Sequence, residues 1–311
     1  MKRVNEDSRW KTIVKFPDYN FKIDYSSKLL ALGSCFANEI GDYLYKMKFD
    51  ICVNPTGVLF NPWSIAQILD ILSNNYKFTS DDLFYNQELY CSFYHSSLFS
   101  KYSKEEFLNN NNKIIELASS QFNNSDYVIL TFGTSWVYRH IETNLIVSNC
   151  HKMHPSIFKR ESLDIDDIVE MYSKFAQKFS NKKFIITVSP IRHLKDGAIE
   201  NSVSKAKLLI SANELAKKHS NIYYLPIYEL FIDELRDYRF YGADMVHPSD
   251  IAIDYVCDVF KNNLISDKCY SRMEDIDKLI QLKSHKPFFT QTESYKKLLA
   301  KIEDLEQKVK K

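Results

Sequence analysis

Glycine is scarce in this chain, with six in 311 residues, about 2 % where roughly 7 % is usual. Their placement is therefore informative. Gly33, Gly57, Gly133, Gly197 and Gly242 fall in or beside segments that read as loops, where backbone must approach something closely, and only Gly41 lies in a helical stretch. Charge of one sign is missing too: 41 basic residues stand against 40 acidic, a formal net charge of +1. No overall field exists to hold a nucleic acid or an anionic membrane surface. No run of about 18 apolar residues occurs, and the segment MKRVNEDSRWKTIVKFPDYN has basic residues without an apolar core, so the expectation is a soluble, unexported protein. The six cysteines (Cys35, Cys52, Cys91, Cys150, Cys257, Cys269) form no C-x-x-C pair, which points to reduced thiols in a cytoplasmic setting. Also absent are G-x-G-x-x-G, G-x-x-x-x-G-K-[ST], G-x-S-x-G and H-E-x-x-H. Standard nucleotide sites, the α/β-hydrolase elbow and the commonest zinc motif are thereby excluded, and no cofactor is expected.

What is present suits a large core: 45 % of residues are hydrophobic and 14 % aromatic. Short apolar runs rich in β-branched and aromatic residues, at 29–32, 126–132, 182–190 and 221–227, read as strands covered on both faces. Helical candidates at 63–72, 163–180 and 204–220 lie between them. The alternation implies right-handed βαβ units and a central parallel sheet, whose ligands collect at the carboxyl ends of the strands. GSC, FGTSW and SPIRH each begin where such a strand ends. Beyond about residue 265 the chain turns to charged helical sequence, predicting a main domain over 1–265 and a helical extension over 266–311. Leu298, Ile302, Leu305 and Val309 share one helical stripe there, either packed on the chain or contacting a second copy in a homo-oligomer.

Two segments could carry chemistry. In LLALGSCFANEI, Ser34 stands between a strand and a helix, as an ordinary N-cap or as a nucleophile on an exposed turn. Cys35 beside it is a competing nucleophile. In YGADMVHPSD, Asp244 and His247 are three apart, so one loop can offer an imidazole and the carboxylate that orients it, unless they merely start a helix. Arg192, His193 and Lys195 after one strand, and Arg236 and Arg239 near the second segment, could grip an anionic or hydroxylated substrate, or pair with Asp196, Asp233 and Asp237. Cys150, His151 and His154 in CHKMH offer soft ligands without a matching pair elsewhere, so no metal is assigned.

Five ordered blocks, LGSCFANEI, NPTGVLFNP, TFGTSWVY, SPIRH and RDYRFYGADMVHPS, together resemble the signature of the GSCFA-domain family, a branch of the SGNH (GDSL-like) hydrolase superfamily, over about residues 28–265. The resemblance implies a flavodoxin-like three-layer α/β/α sandwich with a C-terminal helical appendage. It implies a serine esterase in which Ser34 is the nucleophile, His247 the general base and Asp244 its orienter. Gly57 would join the Ser34 amide in an oxyanion hole. The third block usually contributes an asparagine in G-x-N-D, and here it reads Gly133-Thr134-Ser135-Trp136. A replacement donor would come from Thr134, Ser135, Asn54, Asn61 or His95, and loss of one such donor costs on the order of 2.7–4 kcal/mol of transition-state stabilisation. Arg192, His193, His95, Asn61 and Arg239 are the expected substrate contacts. The implied substrate is a small-molecule or glycan ester, O-acetyl groups on carbohydrate foremost. The alternatives are an acyltransferase using the same triad and a glycan-binding module with a disabled site.

Overall fold

The structure is a computed structural model that describes residues 11–285 and 288–310; the first ten residues, which open the basic amino-terminal segment, lie outside it. Five strands form one parallel sheet: β1 (Lys28–Gly33), β2 (Asp50–Val53), β3 (Tyr127–Phe132), β4 (Lys183–Val188) and β5 (Ile222–Tyr224). Their spatial order is β2-β1-β3-β4-β5, the flavodoxin-like order, with helices on both faces. The expected three-layer sandwich is the fold.

Alternation along the strands makes the two cores. Leu29 and Ala31 of β1, Ile129 of β3 and Ile185 of β4 face one side. They meet α1 (Cys35–Lys46), α6 (Asp250–Leu264) and α7 (Tyr270–Ser284). Leu30 and Leu32, Val128 and Leu130, Phe184 and Ile186 face the other. That face is covered by α2 (Pro62–Ser73), α3 (Lys104–Asn124), α4 (Ile165–Lys178) and α5 (Ala198–Lys218). A period of two in each strand thus feeds both layers, as a parallel sheet requires. The last helix, α8 (Glu293–Lys310), lies against α7. Leu305 and Val309 are buried in the first core, and Lys308 pairs with Asp275 at 2.6 Å, so the terminal stripe packs within the chain.

Two small sheets leave the main one: the hairpin of Phe84–Asn86 with Leu89–Cys91, and an antiparallel trio of Trp136–His140, Ile146–Val147 and Phe158–Ser162. The trio follows β3 directly and walls one side of the carboxyl end of the sheet.

Where β1 leaves the sheet, Gly33 has φ +143°, and a Cβ there would sit 2.3 Å from the Thr131 carbonyl oxygen of β3. Backbone, which cannot swing aside, occupies the space. Gly33→Ala is expected to destabilise the protein by about 2–4 kcal/mol, read as a lowered urea midpoint with unchanged slope.

Candidate active site

Ser34 is the N-cap residue of α1, with φ −63° and ψ 173°, yet its side chain makes no capping hydrogen bond. The residue is 1 % exposed, and among the described residues its Oγ has no hydrogen-bond partner. A hydroxyl buried without a partner costs about 1–3 kcal/mol. A structural cap would have turned onto the helix amides instead.

Ser34 lines a cavity of about 580 Å³ at the carboxyl ends of β1, β3 and β4. Asn61, Thr134, Trp136, Arg192, His193 and His247 line it as well. Segments 200 residues apart in sequence therefore share one hollow. His247 Nδ1 lies 2.6 Å from Asp244 Oδ2, and the other carboxylate oxygen accepts from the amides of Val246 and His247 at 2.9 and 3.0 Å. Those three hydrogen bonds hold the Asp244 carboxyl well below the usual carboxylate range, the His247 side chain contributing most. The pair is about half exposed. Arg192 donates to the Met245 carbonyl and rests over the Tyr241 ring at 4.7 Å, tying this loop to the segment after β4.

Beneath the cavity lies Lys205 of α5, fully buried, donating from Nζ to the carbonyls of Gly133 and Ser189 at 2.6 Å each. Among the described residues no carboxylate pairs with it. Burial pushes its pKa down to about 7. Lys205 is absent from the candidates read in the sequence. Its signal was available, since Ser204, Lys205, Leu208, Ser211, Ala212 and Leu215 form the buried stripe of α5 and a lysine stands where apolar residues belong.

Several expected residues are occupied otherwise. The amide of Ser34 donates to Thr131 O at 3.1 Å, that of Gly57 to Asn54 O at 2.8 Å, that of Thr134 to Phe60 O at 2.8 Å and that of Ser135 to Ser204 Oγ at 2.8 Å. Thr134 Oγ1 meets Ser204 Oγ at 3.1 Å, and Ser135 Oγ meets Ser162 Oγ at 3.2 Å. Gly57 stands apart from the cavity, packed on Ser96. Asn54 accepts from the Gly33 amide and donates to Asn38, so both ends of its amide are engaged. His95 does not reach the cavity either: it is 1 % exposed among Phe78, Phe99 and Phe107, and burial drives its pKa down to about 3. Arg239 pairs with Asp237 at 3.1 Å and lines a different hollow. Of the expected contacts, Asn61, Arg192 and His193 are brought to Ser34.

Asn61 Oδ1 accepts from the Ser64 amide at 2.8 Å, capping α2. That bond fixes which end of the side-chain amide is oxygen. Its Nδ2 has no partner among the described residues. Cys35 also lines the cavity, but burial raises its pKa, so it stands as a thiol with little thiolate character. His151 uses both ring nitrogens, towards Ser97 Oγ and Ser92 O. Among the described residues no group of three or more His, Cys, Asp or Glu side chains could hold a metal ion, and no helix is long and apolar enough to cross a membrane.

Residues 28–260 match the model of the GSCFA family. A solved structure described as "a putative platelet activating factor from Streptococcus pneumonia" is similar at 10 % identity and a TM-score of 0.37, covering 76 % of this chain and 83 % of that one. No curated protein matches the chain.

Lys205 makes stability pH-dependent in a defined direction. Between its folded pKa near 7 and the ordinary lysine value, the unfolded chain binds the extra proton. Stability from this residue therefore rises with pH over that window. The difference in unfolding free energy between wild type and Lys205→Met should move in favour of wild type from pH 7 to pH 10 in urea titrations.

Proposed function

Because the chain belongs to the GSCFA family, we propose that it is a serine acyl-ester hydrolase of SGNH type, with Ser34 as nucleophile and His247 as general base. The observation that carries this reading is the buried, unpartnered Ser34 hydroxyl opening on the cavity that His247, bonded to Asp244, also lines. With Nδ1 held by Asp244, Nε2 of His247 is the nitrogen free to take a proton. The Ser34–His247 hydrogen bond is not formed in this structure, and the reading requires the half-exposed loop to bring the imidazole onto Ser34 Oγ when substrate binds.

In the reaction Ser34 Oγ forms a bond to the ester carbonyl carbon, its proton passes to His247 Nε2, and the carbonyl π electrons move onto oxygen. Collapse of that oxyanion breaks the bond to the leaving oxygen, which takes the proton back from His247. Water, deprotonated by the same imidazole, then releases the acyl group and restores Ser34. Asp244, held ionised, stabilises the imidazolium in both halves. Asn61 Nδ2, fixed by its capping bond and 6 % exposed, supplies a side-chain amide donor to the oxyanion in place of the missing third-block asparagine. Aromatic rings of Phe60, Trp136 and Tyr138 beside the polar Ser148 and Asn149 suit a carbohydrate ester, since sugar rings offer apolar faces rimmed by hydroxyls.

A fluorophosphonate probe should place its adduct on Ser34, located by peptide mass spectrometry. Ser34→Ala should abolish labelling and turnover of p-nitrophenyl acetate, and His247→Ala should lower kcat by about 10²–10⁴-fold. An adduct on Cys35, or none anywhere, would sink the hydrolase reading.

A further inference from the structure

An oxyanion needs more than one donor, and the backbone amides of Ser34, Gly57, Thr134 and Ser135 are all bonded within the protein. Three histidines, on the other hand, line the cavity with Ser34; His151 has both ring nitrogens engaged, and of the other two the hydrolase reading uses only His247. His193 lies at the end of the segment that follows β4. Its position relative to the nucleophile is defined by Gly133: a Cβ on that glycine would lie 3.3 Å from Ser34 Cβ and 3.4 Å from His193 Nε2. Ser34 and that ring nitrogen both border the space a Gly133 side chain would fill, as does the Phe60 carbonyl oxygen at 2.7 Å.

The backbone of His193 is held in place. The His193 amide donates to Asn201 Oδ1 at 2.9 Å, its carbonyl accepts from the Asp196 amide at 3.0 Å, and Phe60 meets the imidazole edge-on at 5.9 Å. Among the described residues neither ring nitrogen has a hydrogen-bond partner. The nearest carboxylate in sequence, Asp196, is bound to Arg160 at 2.7 Å and does not orient the ring. His247 differs on this point, with a carboxylate on its Nδ1 at 2.6 Å.

We propose that His193 is a catalytic residue of this site, a neutral imidazole whose Nε2–H donates to the oxyanion alongside Asn61. The inference rests on the hydrolase reading and adds a donor to it. Burial first, and then the charge on Lys205, push the His193 pKa down to about 4. At neutral pH the ring therefore carries one proton, which it can present as a hydrogen bond, and it is a weak base. A neutral donor also suits an anion that must form and then collapse, because it stabilises the charge without transferring a proton to it. Gly133 then serves this donor, since any side chain there would crowd both Ser34 and His193 Nε2.

The test compares wild type with His193→Ala and His193→Gln, in fluorophosphonate labelling and in p-nitrophenyl acetate turnover across pH 5–9. His193→Ala should lower kcat about 10²–10³-fold with KM nearly unchanged. His193→Gln, whose amide can offer an N–H from a similar reach, should recover most of the loss, with the acidic limb of the pH profile where wild type has it. Turnover by His193→Ala within threefold of wild type overturns the inference while leaving the hydrolase reading intact. A His193→Gln protein as inactive as His193→Ala, folded by circular dichroism, also overturns it. Failure of the wild type to label at Ser34 removes the hydrolase reading and this inference with it.

Discussion

Backbone proximity at the carboxyl ends of the strands governs this molecule. β1 and β3 run so close where they end that Gly33 has no room for a Cβ against Thr131, and Gly133 has none between Phe60 O, Ser34 and His193. Lys205 then binds the Gly133 and Ser189 carbonyls from below, so the ends of β3 and β4 are held by one ammonium group. Three strand termini are thereby held level, and the loops that follow them converge on one hollow. A buried cation without a carboxylate is costly, and two carbonyl dipoles offset part of that cost.

The site inherits its electrostatics from that arrangement. Burial first, and then the charge on Lys205, keep the His193 imidazole neutral, whereas His247, on an exposed loop, is oriented by Asp244. The loop that carries His247 is connected to the rest through Arg192, which reaches Met245. The rigid floor and the exposed rim thus play different parts, with Ser34, Asn61 and His193 on the floor and the His247–Asp244 pair on the rim.

Much of the frame was legible in the residues. The apolar runs at 29–32, 126–132 and 182–190 fall within a residue or two of β1, β3 and β4, because fully buried parallel strands must be continuously apolar. β2, with the short DICV, and α3, with its run of four asparagines, are not legible in the residues, since neither carries a clear apolar period. The two small antiparallel sheets were missed for the same reason: Trp136–His140 alternates only weakly and is stabilised by its pairing with Phe158–Ser162.

The local order of residue types decided that this chain would be an alternating α/β sandwich, that a strand would end at Ser34, and that Asp244 and His247 would meet across a single turn. Those are short-range facts, set by periodicity and by spacings of a few residues. Which amides remained free, which polar atoms lost their partners, and which histidine came to lie beside the serine depended on segments 100 to 200 positions apart. Hydrogen bonding and burial are satisfied over the whole fold at once, so Gly57 and His95 could be engaged elsewhere while Asn61, His193 and Lys205 were gathered under the nucleophile.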